Sequence, residues 1–144
     1  MESSLAEIEN AFAQYAQDLE NYEKKRKPTD GLFGLGHALQ HDACHDRLDE
    51  RIEQAVQRLC ASEPDARTAE ACVRLLLREN TAGLPQAAQW MLRAIERHSL
   101  PLIPFLDSGA AASLSREYAA RYKPWDRLPA QKEVLRALKK RAGE

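Results

Sequence analysis

The stretch that decides the fold is residues 3–27, SSLAEIENAFAQYAQDLENYEKKRK. Its large apolar side chains recur every three or four residues, which places them on one face of an α-helix. They are Leu5, Ile8, Phe12, Tyr15, Leu19 and Tyr22. Serine precedes this stripe and can cap the N-terminus of the helix. Residues 24–27 are four consecutive cations, which are favoured at the negative C-terminal end of a helix, and Pro28 then stops the helix. We therefore expect a long amphipathic helix over residues 3–27.

The rest of the chain shows the same helical spacing, interrupted by glycine and proline. Residues 28–41 contain three glycines and one proline, which predicts a glycine-rich loop. Residues 42–144 carry the remaining helices, whose starts are predicted near Asp42, Asp65, Pro85, Asp107 and Pro129. Residues 99–106 are apolar but hold two prolines, so we expect a buried crossing segment or a single short turn there.

These patterns predict one all-α domain over residues 1–144. Its length of 144 residues is typical of a single domain. No stretch alternates apolar and polar residues as a strand does, so no sheet is expected. The predicted architecture is a bundle of five or six helices joined by short loops.

Composition and charge exclude several classes of protein. Hydrophobic residues make up 44% of the chain, which is enough for a core and argues against wholesale disorder. The longest apolar run has seven residues, far short of the roughly 18 needed for a membrane span. No secretory signal pattern opens the sequence, and three cysteines are a poor disulfide framework. We expect a cytoplasmic protein with no membrane partner.

A cluster of histidine and cysteine gives the main chemical hypothesis. Residues 37–45, HALQHDACH, hold three of the four histidines and one of the three cysteines. Residues three and four apart share a helix face, so His41, Cys44 and His45 are candidate ligands for a zinc-type metal, with Asp49 or His98 supplying a further ligand. The sequence nevertheless favours a polar helix start with exposed histidines and no cofactor, and the metal site is the alternative.

The three thiols are expected to differ in reactivity. Cys44 would lie near a helix N-terminus, where the dipole favours the thiolate. Cys60 follows Leu59 on the second predicted helix, and Cys72 falls on the inner face of the third. Both are expected to be unreactive, because a buried thiol reacts slowly. Cys44 is therefore the predicted reactive cysteine.

The motifs favour a binding role over catalysis. The glycines of residues 31–36 are in the order GxxGxG after a helix, which fits neither a phosphate loop nor a dinucleotide loop. No nucleophile-elbow or metalloprotease signature occurs either. No catalytic residue is assigned, and the sequence favours a protein that is not an enzyme.

Association surfaces are predicted at two places. Phe12, Tyr15 and Tyr22 supply more aromatic area than a short helix needs, which suggests packing across a two-fold axis. Leu32 and Phe33 would form an apolar patch if the glycine-rich loop leaves them exposed. The best functional hypothesis is a small helical interaction or adaptor protein that binds a protein partner or a second copy.

The ends of the chain differ in charge. Residues 1–23 hold six acids and no base, whereas residues 116–144 hold nine bases and four acids, within a net charge of −1. The basic end makes a nucleic-acid-associated protein a further alternative, although a general polyanion binder would show an overall basic excess.

Overall fold

Helices form every regular element of the structure, a computed structural model. It describes the backbone of residues 2–25, 35–77 and 92–143 and the side chains of residues 5–21, 43–77 and 92–143. The α-helices are α1 (Glu2–Lys25), α2 (Leu35–Ala61), α3 (Ala66–Leu77), α4 (Ser108–Arg121) and α5 (Pro129–Ala142). A 3₁₀ helix, Glu96–Phe105, precedes α4, and a 3₁₀ turn, Pro124–Asp126, separates α4 from α5. No strand occurs in these ranges, so the all-α prediction is confirmed.

Two helix pairs, α1 with α2 and α4 with α5, make the most extensive contacts in the described part of the bundle. Ion pairs join Glu7 to Arg58 at 2.6 Å and Asp18 to Arg47 at 3.5 Å, so α2 runs opposite to α1. The helices α4 and α5 form the second pair, and the 3₁₀ helix packs against α2, α3 and α5 between them. None of the described helices has the length and apolarity to cross a membrane.

The amphipathic stripe of α1 faces the core as predicted. Ile8, Tyr15 and Leu19 are buried, and Ala11 is buried between them. Leu5 and Phe12 lie at the edge of the stripe and are half-buried against the core. The side chain of Tyr22 lies outside the described residues.

The start of α2 corrects the predicted boundaries of the loop. The helix begins at Leu35, so residues 35–41 are helical and Asp42 lies inside the helix instead of capping it. The physical reason is that alanine, leucine and glutamine follow Gly36 and all favour a helix, while a single glycine costs only about 1 kcal/mol. Leu32 and Phe33, the predicted apolar patch, lie outside the described residues.

The proline-containing segment forms a longer helix than the predicted single turn. Residues 92–95 are α-helical, and the 3₁₀ helix begins at Glu96 and contains Pro101 and Pro104. Proline lacks the N–H that an α-helix interior needs, and tight 3₁₀ winding is a frequent way to continue a helical path as a connector. Leu102 and Ile103 are buried, so the segment crosses the core as predicted.

Three predicted helix starts are close to the observed ones. Oδ1 of Asp65 accepts a hydrogen bond from the Thr68 N–H at 2.7 Å, at the start of α3. Oδ1 of Asp107 accepts one from the Ala110 N–H at 2.8 Å, at the start of α4. Pro129 is the first residue of α5. These caps satisfy donors that a helix N-terminus leaves without an intrahelical partner.

The α1 stripe should carry much of the stability of the first helix pair. Ile8 is fully buried, so Ile8→Ala should lower the free energy of unfolding by about 2–5 kcal/mol through lost burial and a residual cavity. Glu9→Ala on the exposed face of α1 is the control and should change it by less than about 0.5 kcal/mol. Urea denaturation measures both, and equal effects would show that α1 does not pack by this stripe.

Candidate functional site

One carboxylate lies in the core. Glu96, the first residue of the 3₁₀ helix, is the only acidic side chain buried within the described ranges, with 4% of its surface exposed. Its Oε2 accepts a short hydrogen bond from the hydroxyl of Tyr118 on α4. The same oxygen accepts a second one from Nε2 of Gln131 on α5, at 3.0 Å. One carboxylate oxygen therefore connects three elements of the fold.

Gln131 extends these contacts to the start of α5. Its side chain is fully buried, and its Oε1 accepts a hydrogen bond from the Leu128 N–H at 3.0 Å. The same oxygen accepts a second one from Nη2 of Arg93 at 2.8 Å. We call Glu96, Tyr118, Gln131 and Arg93 the polar network.

Burial has the largest influence on the pKa values of Glu96 and Tyr118 in the polar network. Burial raises the pKa of the Glu96 carboxyl, because an ionised carboxylate is poorly solvated in the core. The hydrogen bonds from Tyr118 and Gln131 and the charges of Arg121 and Arg93 oppose this rise only in part. Burial and the neighbouring carboxylate also hold the pKa of Tyr118 far above its ordinary value, so the hydroxyl keeps its proton and remains a donor.

The polar network supports the turn between α4 and α5. Nη2 of Arg93 donates a short hydrogen bond to the carbonyl oxygen of Asp126, and Nη1 lies 3.8 Å from its carboxylate. The Arg93 guanidinium also stacks on the Tyr122 ring, 4.5 Å from the ring centre. From the other side, Arg127 donates to the carbonyl oxygens of Ala119 at 3.0 Å and Tyr122 at 3.2 Å. The turn is therefore held by two arginines.

Trp125 lies at the centre of this turn and points away from the core. Its side chain is 83% exposed, and it is the only large hydrophobic residue that is exposed in the described part of the chain. A tryptophan ring supplies a large contact area and an N–H donor, and tryptophan is enriched at the energetic centres of protein interfaces. The turn can therefore present an aromatic anchor in a fixed position.

Trp125 was not among the predicted association residues, because those were chosen from amphipathic helices and from the glycine-rich loop. The signal was available in KPWDRLP, residues 123–129. Trp125 directly follows Pro124, the predicted end of a helix, and precedes Pro129, the predicted start of the next one, so it falls in a connection and is assigned to no helix stripe.

The predicted metal ligands lie in different surroundings on α2. Cys44 is buried, and Nη2 of Arg47 lies 3.4 Å from its sulfur. His45 is partly exposed, and its Nε2 has no hydrogen-bond partner among the described residues. Adjacent helix residues point about 100° apart, which separates these two side chains. The side chain of His41 lies outside the described residues, so the three-ligand site stays a prediction.

The two further candidate ligands contact each other. Oδ1 of Asp49 on α2 lies 2.7 Å from Nε2 of His98 and 2.8 Å from Nη2 of Arg97. Burial raises the pKa of Asp49, but the His98 hydrogen bond and the nearby charges of His98, Arg97 and His45 outweigh it and hold that pKa below its usual range. This contact ties α2 to the 3₁₀ helix. No group of three His, Cys, Asp or Glu residues among the described side chains is arranged to hold a metal ion.

The predicted association residues of α1 are placed mostly inward. Tyr15 is 2% exposed, and its hydroxyl has no partner among the residues the structure describes. Burial, with a smaller contribution from Cys44, raises the pKa of Tyr15 to about 12. Phe12 is half-buried. Packing of this helix across a two-fold axis stays a prediction.

The thiols are arranged differently from the prediction. Cys44 and Cys72 are buried, whereas Cys60 is partly exposed, with its sulfur 3.7 Å from the carbonyl oxygen of Pro101. Burial raises the pKa of all three thiols. The N-terminal position on which the prediction of a reactive Cys44 was based is wrong, because the helix begins seven residues earlier than expected and places Cys44 inside it. The reactivity of Cys44 itself stays a prediction.

Comparisons with known proteins leave the function to be argued from this geometry. No protein-family model, curated protein or solved structure matches the chain.

The buried carboxylate predicts a specific pH dependence of stability. Because the folded pKa of Glu96 is raised, the unfolded chain loses this proton first as the pH rises. The contribution of Glu96 to stability is therefore full below its unfolded pKa, about 4.3, and is lost as the pH rises through the folded pKa. The stability advantage of wild type over Glu96→Gln should thus shrink from pH 4 upward.

Urea denaturation at a series of pH values measures this difference. Glu133→Gln, at an exposed glutamate of α5, is the matched control. Glu96→Ala should cost about 2–6 kcal/mol, since it leaves the Tyr118 and Gln131 donors without an acceptor and each unsatisfied buried donor costs about 1–3 kcal/mol. An advantage over Glu96→Gln that grows with pH would contradict the raised pKa.

Cysteine labelling tests the burial of the three thiols. Native protein treated with a thiol reagent should be modified first at Cys60, with Cys44 and Cys72 reacting at least about tenfold more slowly, because labelling a buried thiol requires the chain to open. Peptide mass spectrometry at timed intervals identifies the modified residue. Fastest labelling at Cys44 would instead support the prediction made from the sequence.

Proposed function

We propose that the chain is a helical interaction protein whose contact with its partner is centred on Trp125. The observation that carries this proposal is an 83% exposed tryptophan on a turn that buried groups hold in place. A monomer gains nothing in stability from an exposed ring of this size, whereas an interface gains a large apolar contact.

The support beneath the turn favours binding. Association costs conformational entropy when side chains and loops must become ordered, so a turn that is already ordered binds more tightly. Here Arg93 and Arg127 fix the backbone on both sides of Trp125, and Gln131 fixes Arg93. The polar network thus supplies preorganisation from the core.

The same network is poorly suited to act on a substrate. Both donors that reach the Glu96 carboxylate come from buried side chains of the chain itself, Tyr118 and Gln131. A general acid or base must come within hydrogen-bond distance of the group it serves. The polar groups of this site therefore support a structural role for the network and a binding role for the turn above it.

The proposal is tested by quantitative affinity capture with matched variants. Immobilised wild-type protein should retain one or more partners from a cell extract of its source. Trp125→Ala should retain them at least about tenfold less well, as loss of an interface hot spot does. Trp125→Phe should keep much of the binding, and Glu9→Ala, on the far exposed face of α1, should keep all of it.

Circular dichroism must show that the Trp125→Ala variant melts like wild type, since replacing an exposed side chain leaves the core unchanged. Equal retention by wild type and the Trp125→Ala variant would overturn the proposal.

A further inference from the structure

A groove lies between the 3₁₀ helix and the second half of α5. Its volume is about 420 Å³, within the range of ligand sites in proteins. The apolar part is formed by Leu100, Ile103, Pro104 and Ala137, and Lys140 and Arg141 complete the lining. We call it the basic groove.

The positive charge beside the basic groove is not neutralised within the described chain. No carboxylate is among the lining residues. Arg136, Lys139 and Lys140 are exposed and form no ion pair with any residue that the structure describes. The helix dipole explains cations in the last turn of α5, but it does not explain an apolar concavity next to them.

Arg141 is positioned at the rim by a contact with the backbone. Its Nε donates a hydrogen bond of 2.6 Å to the carbonyl oxygen of Leu106, just after the 3₁₀ helix. That bond uses one of the five guanidinium donors. The other four N–H donors of Arg141 make no hydrogen bond within the described ranges. Because one bond already fixes the guanidinium, it loses less conformational entropy on binding a carboxylate than a free side chain does.

We propose that the basic groove binds an acidic amphipathic segment of a partner protein. Apolar side chains of the segment fill the groove over Leu100, Ile103 and Ala137, and its carboxylates contact Lys140 and Arg141. The apolar lining favours such a segment over a nucleic acid, whose binding sites are dominated by phosphate contacts. The inference rests on the proposed interaction function and names the class of partner.

The test uses a defined peptide and the full chain. The probe is a 15-residue fluorescent peptide with leucine or phenylalanine at positions 1, 4, 5, 8, 11 and 12 and glutamate elsewhere. One control peptide has lysine in place of glutamate, and the other has serine in place of leucine and phenylalanine. Fluorescence anisotropy should show saturable binding of the probe and of neither control peptide. The affinity for the probe should fall as the salt concentration is raised.

Variants of α5 locate the binding site. Lys140→Glu should weaken probe binding at least about fivefold, because it replaces an attraction by a repulsion. Lys132→Glu makes the same charge change on α5 at an exposed residue that does not line the groove, and it should bind like wild type. Ala137→Phe should fill the groove and weaken binding without changing the charge, once its melting curve is shown to match wild type.

The contrary results are distinct. Equal weakening by Lys140→Glu and Lys132→Glu, or binding of the lysine or serine peptide as tight as that of the probe, would overturn the proposal. The proposal would also be overturned if duplex DNA or anionic vesicles bound the protein, lost affinity in the Lys140→Glu and Ala137→Phe variants, and the probe did not bind. Failure of the probe to bind would overturn the groove proposal, and capture that still depends on Trp125 would then leave the proposed function standing. Probe binding that is lost in Lys140→Glu would support the groove proposal, even if capture does not depend on Trp125 and the role of Trp125 is overturned.

Discussion

The hydrogen bonds to the buried carboxylate of Glu96 hold the 3₁₀ helix, α4 and α5 in one arrangement. Tyr118 and Gln131 reach the same oxygen from two helices, so neither helix can shift without leaving a buried polar group unpaired. An apolar contact would tolerate sliding, because burial energy has no direction. The carboxylate therefore specifies the register in which α4 and α5 meet the 3₁₀ helix, at the cost of burying a group that prefers water.

The surface features proposed for binding depend on that arrangement. Gln131 connects Glu96 to Arg93, and Arg93 holds the turn that presents Trp125. The basic groove has a similar dependence, because its two walls are the 3₁₀ helix and α5, which the same carboxylate joins. A turn and a groove with fixed shape lose little entropy when a partner binds.

Periodicity in the sequence predicted the helices, and contacts between distant residues explain what it missed. The stripe from Ile8 to Leu19 predicted the inner face of α1, because burial follows the helical period. The start of α2 was placed too late, since glycine spacing suggested a loop where the helix-forming residues after Gly36 prevail. The burial of Glu96 could not be predicted from local sequence, because its partners lie 22 and 35 residues away in the chain. Trp125 was missed because Pro124 and Pro129 place it in a connection between two predicted helices, where helical spacing does not indicate which side chains are exposed.

The most direct test of this account is a titration of the Glu96 side chain followed by carboxyl carbon NMR, with Glu96→Gln identifying the resonance. The account predicts that the Glu96 carboxyl titrates above the pKa of glutamate in an unfolded peptide, about 4.3, and that the Tyr118 ring signals change in the same pH range. A Glu96 pKa at or below that peptide value, with no response at Tyr118, would show that the carboxylate is solvated and does not hold the three elements together.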